Sequence, residues 1–412
     1  MKYGLIGRSL SHSYSAAIHK KLGCPDYAVL SLEPDELEAF ITKRDFIGIN
    51  VTIPYKKDVM RFCGHISDAA KRIGSINTII SAPDGTLRGD NTDYAGLKFL
   101  ADSGGINFAG KKVLILGTGG TSLTAQAVAR DFGAGEVLVA SRTGTTNYDN
   151  IYDLNNIDVI INTTPVGMYP NNGVSPVDLS RFTPLCGVID VVYNPLKTAL
   201  IQQAEDLSIP CVGGLSMLVH QAKVAEELFM VKAIDDGETI RVYKEIAGSV
   251  TNIILIGMPG CGKSSIGKAA AKLLDKQFVD IDSLIEEREG TSIESIFETR
   301  GQAYFRALES DIINEVTKIG NQVIATGGGS ILDEKNRGAM RQNGRIYYIE
   351  APVEKLAMTG RPLSTSSDAL RDIQKVRQPI YEKLADVRIK NNSSINNAAD
   401  RIAEDFNENF SN

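Results

Sequence analysis

The sequence predicts an α/β protein built as two successive units that meet near residue 250. Three observations carry this. An apolar strand, a glycine-rich turn and a helix follow one another twice, in KKVLILGTGGTSLTAQAVARDF from Lys111 and in NIILIGMPGCGKSSIGKAAAKLL from Asn252. Around both, short apolar strands alternate with helix-like stretches, the pattern of parallel sheets covered by helices. The chain has 412 residues, and at roughly 150 residues per domain this is two to three domains.

The composition is 43% hydrophobic and 23% charged, so each half can bury a core of its own. The net charge is -6 with scattered basic residues, which argues against a nucleic-acid partner or a membrane surface. Cys24, Cys63, Cys186, Cys211 and Cys261 are odd in number and show no C-x-x-C spacing; they read as free thiols in a reducing compartment. The four histidines show no metal-binding spacing. MKYGLIG reads as a first strand rather than a signal peptide, and no apolar stretch approaches the ~20 residues of a membrane span. A cytoplasmic location is expected.

Along the first half, YGLIG, FIGINVTIP, SINTIIS, KKVLILG and EVLVASRT read as strands. In the second half NIILIG, QFVDID, QVIATGG and RIYYIE do the same. Residues 238–247 place Ile240, Val242, Tyr243 and Ile246 at amphipathic helical spacing. Gly248 is expected to stop that helix, with residues 249–251 as a short linker.

Gly117, Gly119 and Gly120, followed by Thr121, stand between a strand and a helix. Such a turn brings backbone N–H groups against a pyrophosphate at the positive end of the helix. Ser122 occupies the place of the last glycine in the common G-x-G-x-x-G. The next strand ends in Ser141, Arg142 and Thr143. An NAD site carries an acid there, whereas a guanidinium between hydroxyls suits a 2′-phosphate, so NADP(H) is favoured. Hydride reduction of a ketone leaves an alkoxide that needs a proton. Lys56 or Lys57 of NVTIPYKKDV can supply it, and Asp90 or Asp93 of GDNTDYAG can orient the lysine.

SHSYS, NVTIPYKK, IGSINT, GDNTD, GTGG, NTTPVGM, DVVYNP and GGLSMLVHQA succeed one another in an order that resembles the shikimate dehydrogenase family over nearly all of residues 1–248. The resemblance implies a catalytic part, 1–93 and 214–248, split around an NADP-binding part, 94–213. It implies Lys56 and Asp93 as the catalytic pair. Ser13, Ser15, Asn50, Thr52, Asn77, Asp93 and Gln221 would hold the substrate's carboxylate and hydroxyls. Tyr193 would line the cleft, and Gly214 would join the cofactor residues. Ala16 departs from the family, which often has proline there.

Gly257 to Ser264 form a complete G-x-x-x-x-G-K-[ST] loop after a strand and before a helix. The backbone around Gly257, Gly260, Cys261, Gly262 and Ser265 can cradle phosphates. Lys263 would neutralise them, and the Ser264 hydroxyl would ligate Mg²⁺. The following helix is expected to turn Ile266, Ala269, Ala270, Leu273 and Leu274 to one face. In QFVDID, a two-residue period places Asp280 and Asp282 together at a strand end. One suits the Mg²⁺ shell; the other can hold and deprotonate an acceptor hydroxyl. Arg300, Arg306 with Glu309 one turn on, Gly327, Gly328, Gly329, Arg361 and Arg377 suit an anionic acceptor beside ATP. Together these segments resemble shikimate kinase from residue 251 to about 405. By that resemblance residues 252–412 form a P-loop α/β domain with a parallel sheet. Asp282 is then catalytic beside Lys263; with Arg306, Arg377 and the three glycines it binds shikimate. Arg361 lies near the ATP phosphates, beside a lid at 364–372.

The two resemblances name consecutive steps. The expectation is NADPH-dependent reduction of 3-dehydroshikimate to shikimate, then ATP- and Mg²⁺-dependent phosphorylation of shikimate. A quinate-acting dehydrogenase with a related kinase, or a shikimate-sensing regulator without turnover, are the alternatives. No nucleic-acid or membrane partner is implied, and the oligomeric state stays open.

Overall fold

The computed structural model describes residues 2–8, 10, 13–356, 367–392 and 394–410. The chain divides into two compact units, Met1–Ile246 and Ala247–Asn412.

The first unit holds two sheets. Strands β1 (Tyr3–Gly7), β2 (Tyr27–Ser31), β3 (Gly48–Val51), β4 (His65–Ile66), β5 (Thr78–Ser81) and β6 (Leu87–Asp90) form the first, in the order β2-β1-β3-β5-β6-β4. Helices α1 (Ser15–Lys21), α2 (Leu37–Lys43) and α3 (Asp68–Ile73) lie between them in sequence. The strand–helix alternation suggests parallel pairing, but β5 runs antiparallel to both β3 and β6. The cause is local. Ala82 N–H reaches Thr86 O at 2.9 Å, Gly85 takes φ +79°, and Asp84 Oδ1 accepts from Thr86 N–H and Oγ1. A turn this tight can make only a hairpin.

Helix α4 (Asp93–Ser103) leads into the second sheet: β7 (Lys112–Leu116), β8 (Glu136–Ala140), β9 (Val159–Asn162), β10 (Gly187–Asp190) and β11 (Cys211–Gly213). It is parallel throughout, in the order β11-β10-β9-β7-β8, with α5 (Gly120–Asp131) and α6 (Ala199–Asp206) as crossovers. All four residues of β9 and of β10 are buried, as strands covered on both faces must be. The chain returns by α7 (Leu215–Met230), which lies along α4. Gly96 permits that approach, since a Cβ there would stand 2.8 Å from Met217 O.

Helix α8 (Asp236–Val250) corrects one expectation, for it runs through Gly248. Gly248 serves packing instead: a Cβ on it would lie 2.8 Å from Phe410 Cβ. The helix closes at Thr251, whose N–H and hydroxyl both donate to Ala247 O at 2.9 and 2.7 Å. Thr251 alone separates α8 from the next strand, so no linker spans 249–251.

The second unit is one parallel sheet of β12 (Asn252–Ile256), β13 (Gln277–Asp280), β14 (Gln322–Ala325), β15 (Gly344–Glu350) and β16 (Val387–Lys390), ordered β13-β14-β12-β15-β16. Its helices are α9 (Lys263–Leu273), α10 (Ile281–Glu289), α11 (Ile293–Val316), α12 (Glu334–Asn343), α13 (Ser367–Leu384) and α14 (Ile395–Phe410). On α9 the buried stripe is Ile266, Gly267, Ala270 and Ala271, whereas Leu273 is exposed. Gly267 belongs in the stripe because Phe278 occupies the space a Cβ would need. The described cysteines are all free, and among the described residues no helix is long and apolar enough to cross a membrane.

Candidate active sites

In the first unit, the C-terminal edges of the two sheets face one another. A Cβ on Gly120, at the start of α5, would lie 3.2 Å from Lys56 Cδ. Lys56 follows β3 and is only 9% exposed, whereas its neighbour Lys57 is exposed, so burial chooses between the two lysines. Lys56 Nζ stands 2.5 Å from Asp93 Oδ2, at the first residue of α4. The other carboxylate oxygen accepts from Asn77 Nδ2 at 2.9 Å. Asn77 Oδ1 accepts the Thr92 N–H at 2.7 Å, and the Thr92 hydroxyl donates to Gln221 Oε1 at 3.3 Å. Residues near β3, from β5 and from the start of α4 and α7 thus fix one ammonium–carboxylate pair in a buried polar network. Asp90 stands outside it, accepting from Ser67 Oγ at 2.6 Å.

Asn50, in β3, accepts from the Tyr27 hydroxyl at 2.7 Å and donates to Thr78 Oγ1 at 3.0 Å. Ser13 and Ser15 bond to each other at 3.1 Å, just before α1 and at its first residue. Thr52 follows β3 and lies against Gly7, where a Cβ would come within 2.5 Å of its methyl. These three gather at the C-terminal ends of β1 and β3, the edge where open α/β sheets bind ligands. Tyr193, after β10, packs its ring 5.4 Å from that of Tyr14. Burial raises both phenols, and burial with Tyr193 nearby pushes Tyr14 up to about 12, so both stay neutral hydrogen-bond donors.

The glycine turn after β7 fits a dinucleotide. Gly117 takes φ +106° and Gly119 has open space where a side chain would project. Ser122 is fully buried in α5, filling the helix–strand contact that a third glycine would otherwise make. Thr121 lies in the first turn of the same helix. Ser141, Arg142 and Thr143 follow β8; Arg142 and Thr143 are exposed, and Arg142 has no acidic partner among the described residues. Gly214, before α7, has Val191 O where a Cβ would be.

In the second unit a cleft of about 730 Å³ runs from the loop after β12 to the turn after β14. Gly257, Gly260 and Gly262 take φ of +147°, +80° and +98°, values that only glycine adopts without strain. Lys263 is 9% exposed, and its Nζ donates to Gly257 O and Met258 O at 2.9 and 3.0 Å. Asn391 Nδ2 holds the loop from outside through Cys261 O at 2.9 Å. Cys261 is buried and Ser265 exposed. Ser264 Oγ donates to Asp280 Oδ2 at 2.5 Å. The strand ends at Asp280, and Asp282 belongs to α10, so the two-residue period does not reach it. Asp280 caps α10 instead, accepting the N–H groups of Asp282 and Ser283. Both carboxylates still line the cleft.

Across the cleft Arg306 Nη1 stands 2.5 Å from Glu309 Oε2, and Glu309 is fully buried. Its other oxygen accepts from Ser330 Oγ at 2.5 Å. A Cβ on Gly327 would lie 2.6 Å from Glu309 Oε1 and 3.0 Å from Asp282 Oδ1, and one on Gly329 would strike the Arg306 guanidinium. Gly328 O is held by the Tyr381 hydroxyl at 2.5 Å. Arg377, 7% exposed, acts on the same phenol and lines the cleft. Arg300 departs from expectation, because it is spent on an exposed ion pair with Glu289. Arg361 and residues 364–366 of the expected lid lie outside the described residues, while 367–372 begin α13. Thr78, Thr92, Asn391 and Tyr381 carry no motif. Only Tyr381 left a trace in the sequence, one helical turn after Arg377.

Comparison with known proteins agrees with both centres. The family of the shikimate dehydrogenase substrate binding domain matches residues 5–79, and the shikimate kinase family matches residues 259–407. The NADP(+) shikimate dehydrogenase of Caldicellulosiruptor bescii is 34% identical, over 60% of this chain and 99% of that protein. The crystal structure of shikimate dehydrogenase 1 from Peptoclostridium difficile aligns with a TM-score of 0.56 and 33% identity, covering 60% of this chain and 98% of that one. Shikimate 5-dehydrogenase of Thermus thermophilus, solved with NADP(H) and shikimate, aligns at 0.52 with 26% identity, covering 59% of this chain and 98% of that one. With Lys56 and Asp93 facing a dinucleotide turn in one unit and a phosphate loop facing paired arginines in the other, the chain belongs to the shikimate dehydrogenase family and continues into a shikimate kinase domain.

Proposed function

We propose that this bifunctional shikimate-pathway enzyme uses Lys56 with Asp93 for reduction of 3-dehydroshikimate, and Asp282 with Lys263 for phosphorylation of the shikimate so formed. The observation that carries the reading is the buried Lys56–Asp93 pair set directly against Gly120 of the dinucleotide turn.

NADPH, when bound, supplies the hydride. Lys56 donates its proton to the oxygen that gains negative charge, and Asp93 holds the ammonium in line and accepts from a substrate hydroxyl. Asn77 and Gln221 orient Asp93; Asn50, Thr52, Ser13 and Ser15 hold the substrate's polar groups. Arg142, with no competing acid, is suited to a 2′-phosphate, and Ser141 and Thr143 flank it. In the second unit ATP supplies the phosphoryl group. The loop N–H groups and Lys263 hold its phosphates, and Ser264 with Asp280 offers the hard oxygens that suit Mg²⁺. Asp282 takes the acceptor's proton, while Arg306 and Arg377 hold its carboxylate. A cytoplasmic location fits this chemistry.

The test is one assay with 3-dehydroshikimate, NADPH, ATP and Mg²⁺, following NADPH loss and ADP release separately. Both should proceed, and without NADPH, ADP release should require added shikimate. A chain that binds shikimate but turns over neither substrate would be a sensor.

A further inference from the structure

Behind Asn50 lies a second buried polar group that the reaction as described does not use. His19, on α1, is 0% exposed and stacks on Tyr27, ring centroids 3.8 Å apart and 5° from parallel. Its Nδ1 stands 2.7 Å from Glu226 Oε2, on α7, with both side chains 1% exposed. Among the described residues, His19 Nε2 and Glu226 Oε1 have no hydrogen-bond partner. Two orphaned polar atoms beside a buried ion pair are a large cost for a structural contact. Tyr3, Cys24 and Asp26 are the other titratable groups that act on this pocket or its members.

Asn50 is the polar side chain that acts on the ring besides Glu226, and it favours the protonated imidazole. With Nδ1 taken by Glu226, the nitrogen left for it is Nε2. Asn50 Oδ1 already accepts from Tyr27. An Nε2–H would therefore give that oxygen a second donor and leave Nδ2 turned toward Thr78 and the substrate edge. A lone pair at Nε2 would instead repel Oδ1 and favour a flipped carboxamide.

We infer that the buried Glu226–His19 pair is a positioning device for the dehydrogenase substrate, fixing the orientation of the Asn50 carboxamide through His19 Nε2. Glu226 keeps Nδ1 occupied, so that the ring presents an N–H to Asn50. The device touches neither the substrate nor the reacting atoms. It governs how well 3-dehydroshikimate is held, and not how fast the bound molecule is reduced. The inference rests on Asn50 being a substrate-binding residue.

The experiment is steady-state reduction by the full-length chain, with KM for 3-dehydroshikimate, KM for NADPH and kcat read separately. His19→Phe keeps the stack on Tyr27 and removes both nitrogens. It should raise KM for 3-dehydroshikimate about three- to tenfold, the worth of one hydrogen bond, with kcat and KM for NADPH within about twofold. Glu226→Leu should do the same, and Glu226→Gln, which can still satisfy Nδ1, should restore most of the loss. Asn50→Ala should raise KM alone, and adding His19→Phe to it should change little further. If Asn50→Ala raises KM while His19→Phe and Glu226→Leu do not, the pair is structural and the inference falls by itself. If Asn50→Ala leaves KM unchanged, the assignment of Asn50 falls and the inference with it. Should His19→Phe not fold, the Glu226→Leu and Glu226→Gln comparison decides.

Discussion

The two centres of this chain are built in opposite ways. The dehydrogenase centre is a side-chain construction: Lys56, Asn77, Asp93 and Gln221 come from separate segments and are already bonded to one another in the buried interior. The kinase centre is largely a backbone construction on its nucleotide side. Residues 257–265 bend back through three positive-φ glycines, and Lys263 bonds to carbonyls of its own loop. Proton transfer needs one acid at one place, which a rigid network provides. Phosphoryl transfer needs charge spread over several oxygens, which a row of N–H groups provides.

This contrast predicts crossed and unequal responses. Lys56→Ala should lower reduction by roughly 10²–10⁴-fold, since no neighbour can replace the acid, and should leave ATP-dependent phosphorylation of added shikimate unchanged. Lys263→Ala should lower phosphorylation by roughly 10²–10³-fold, because the loop N–H groups remain, with reduction unaffected. Measuring both activities on each variant checks the pair. Loss of both in either variant would show that the centres are not independent.

A smaller effect is expected at Arg142. It is exposed and lacks an acidic partner among the described residues, so removing it strips one charged contact and no structure. Arg142→Ala should raise KM for NADPH about 10–100-fold while changing KM for NADH little, as for one charged hydrogen bond. Equal changes for both cofactors would move 2′-phosphate recognition elsewhere.

The same contrast explains what could be read from the chain. The phosphate loop is legible because its nine residues are contiguous and its glycines are required by φ. The Lys56–Asp93 pair is legible only through a chain of motifs, since each member alone is an ordinary loop residue. Thr92 and Thr78, which complete that network, are single polar residues with nothing to mark them. Glu309 is visible as a neighbour of Arg306 on one helix, but its complete burial depends on Ser330, 21 positions away. Gly248 shows the converse. A glycine at a helix end reads as a stop signal, and only the packing of Phe410 reveals that it is a point of close approach within the helix.

Two aspartates that end strands carry the contrast to its smallest measurable term. Asp280 ends β13 and opens onto the cleft, sharing a hydroxyl with Ser264. Asp190 ends β10 fully buried, and accepts from Asn162 Nδ2, Thr198 Oγ1 and Val192 N–H at 2.9, 2.6 and 3.0 Å. Burial outweighs those three donors and pushes Asp190 up to about 6. An acid raised on folding binds its proton more tightly in the native state than in the unfolded chain. Its contribution is therefore most favourable below the unfolded pKa, near 4, and is lost as pH rises to about 6. Asp190→Asn removes that dependence. Whatever offset the substitution brings, the wild type should gain on the variant by about 1 kcal/mol between pH 7 and pH 5, or about 2–4 °C in the unfolding temperature of the dehydrogenase unit. The reverse substitution pattern at the open site, Asp280→Asn, should leave the pH dependence of stability nearly unchanged. An Asp190→Asn offset that is constant from pH 5 to pH 7 would mean that the three donors, and not burial, set the charge of this strand end.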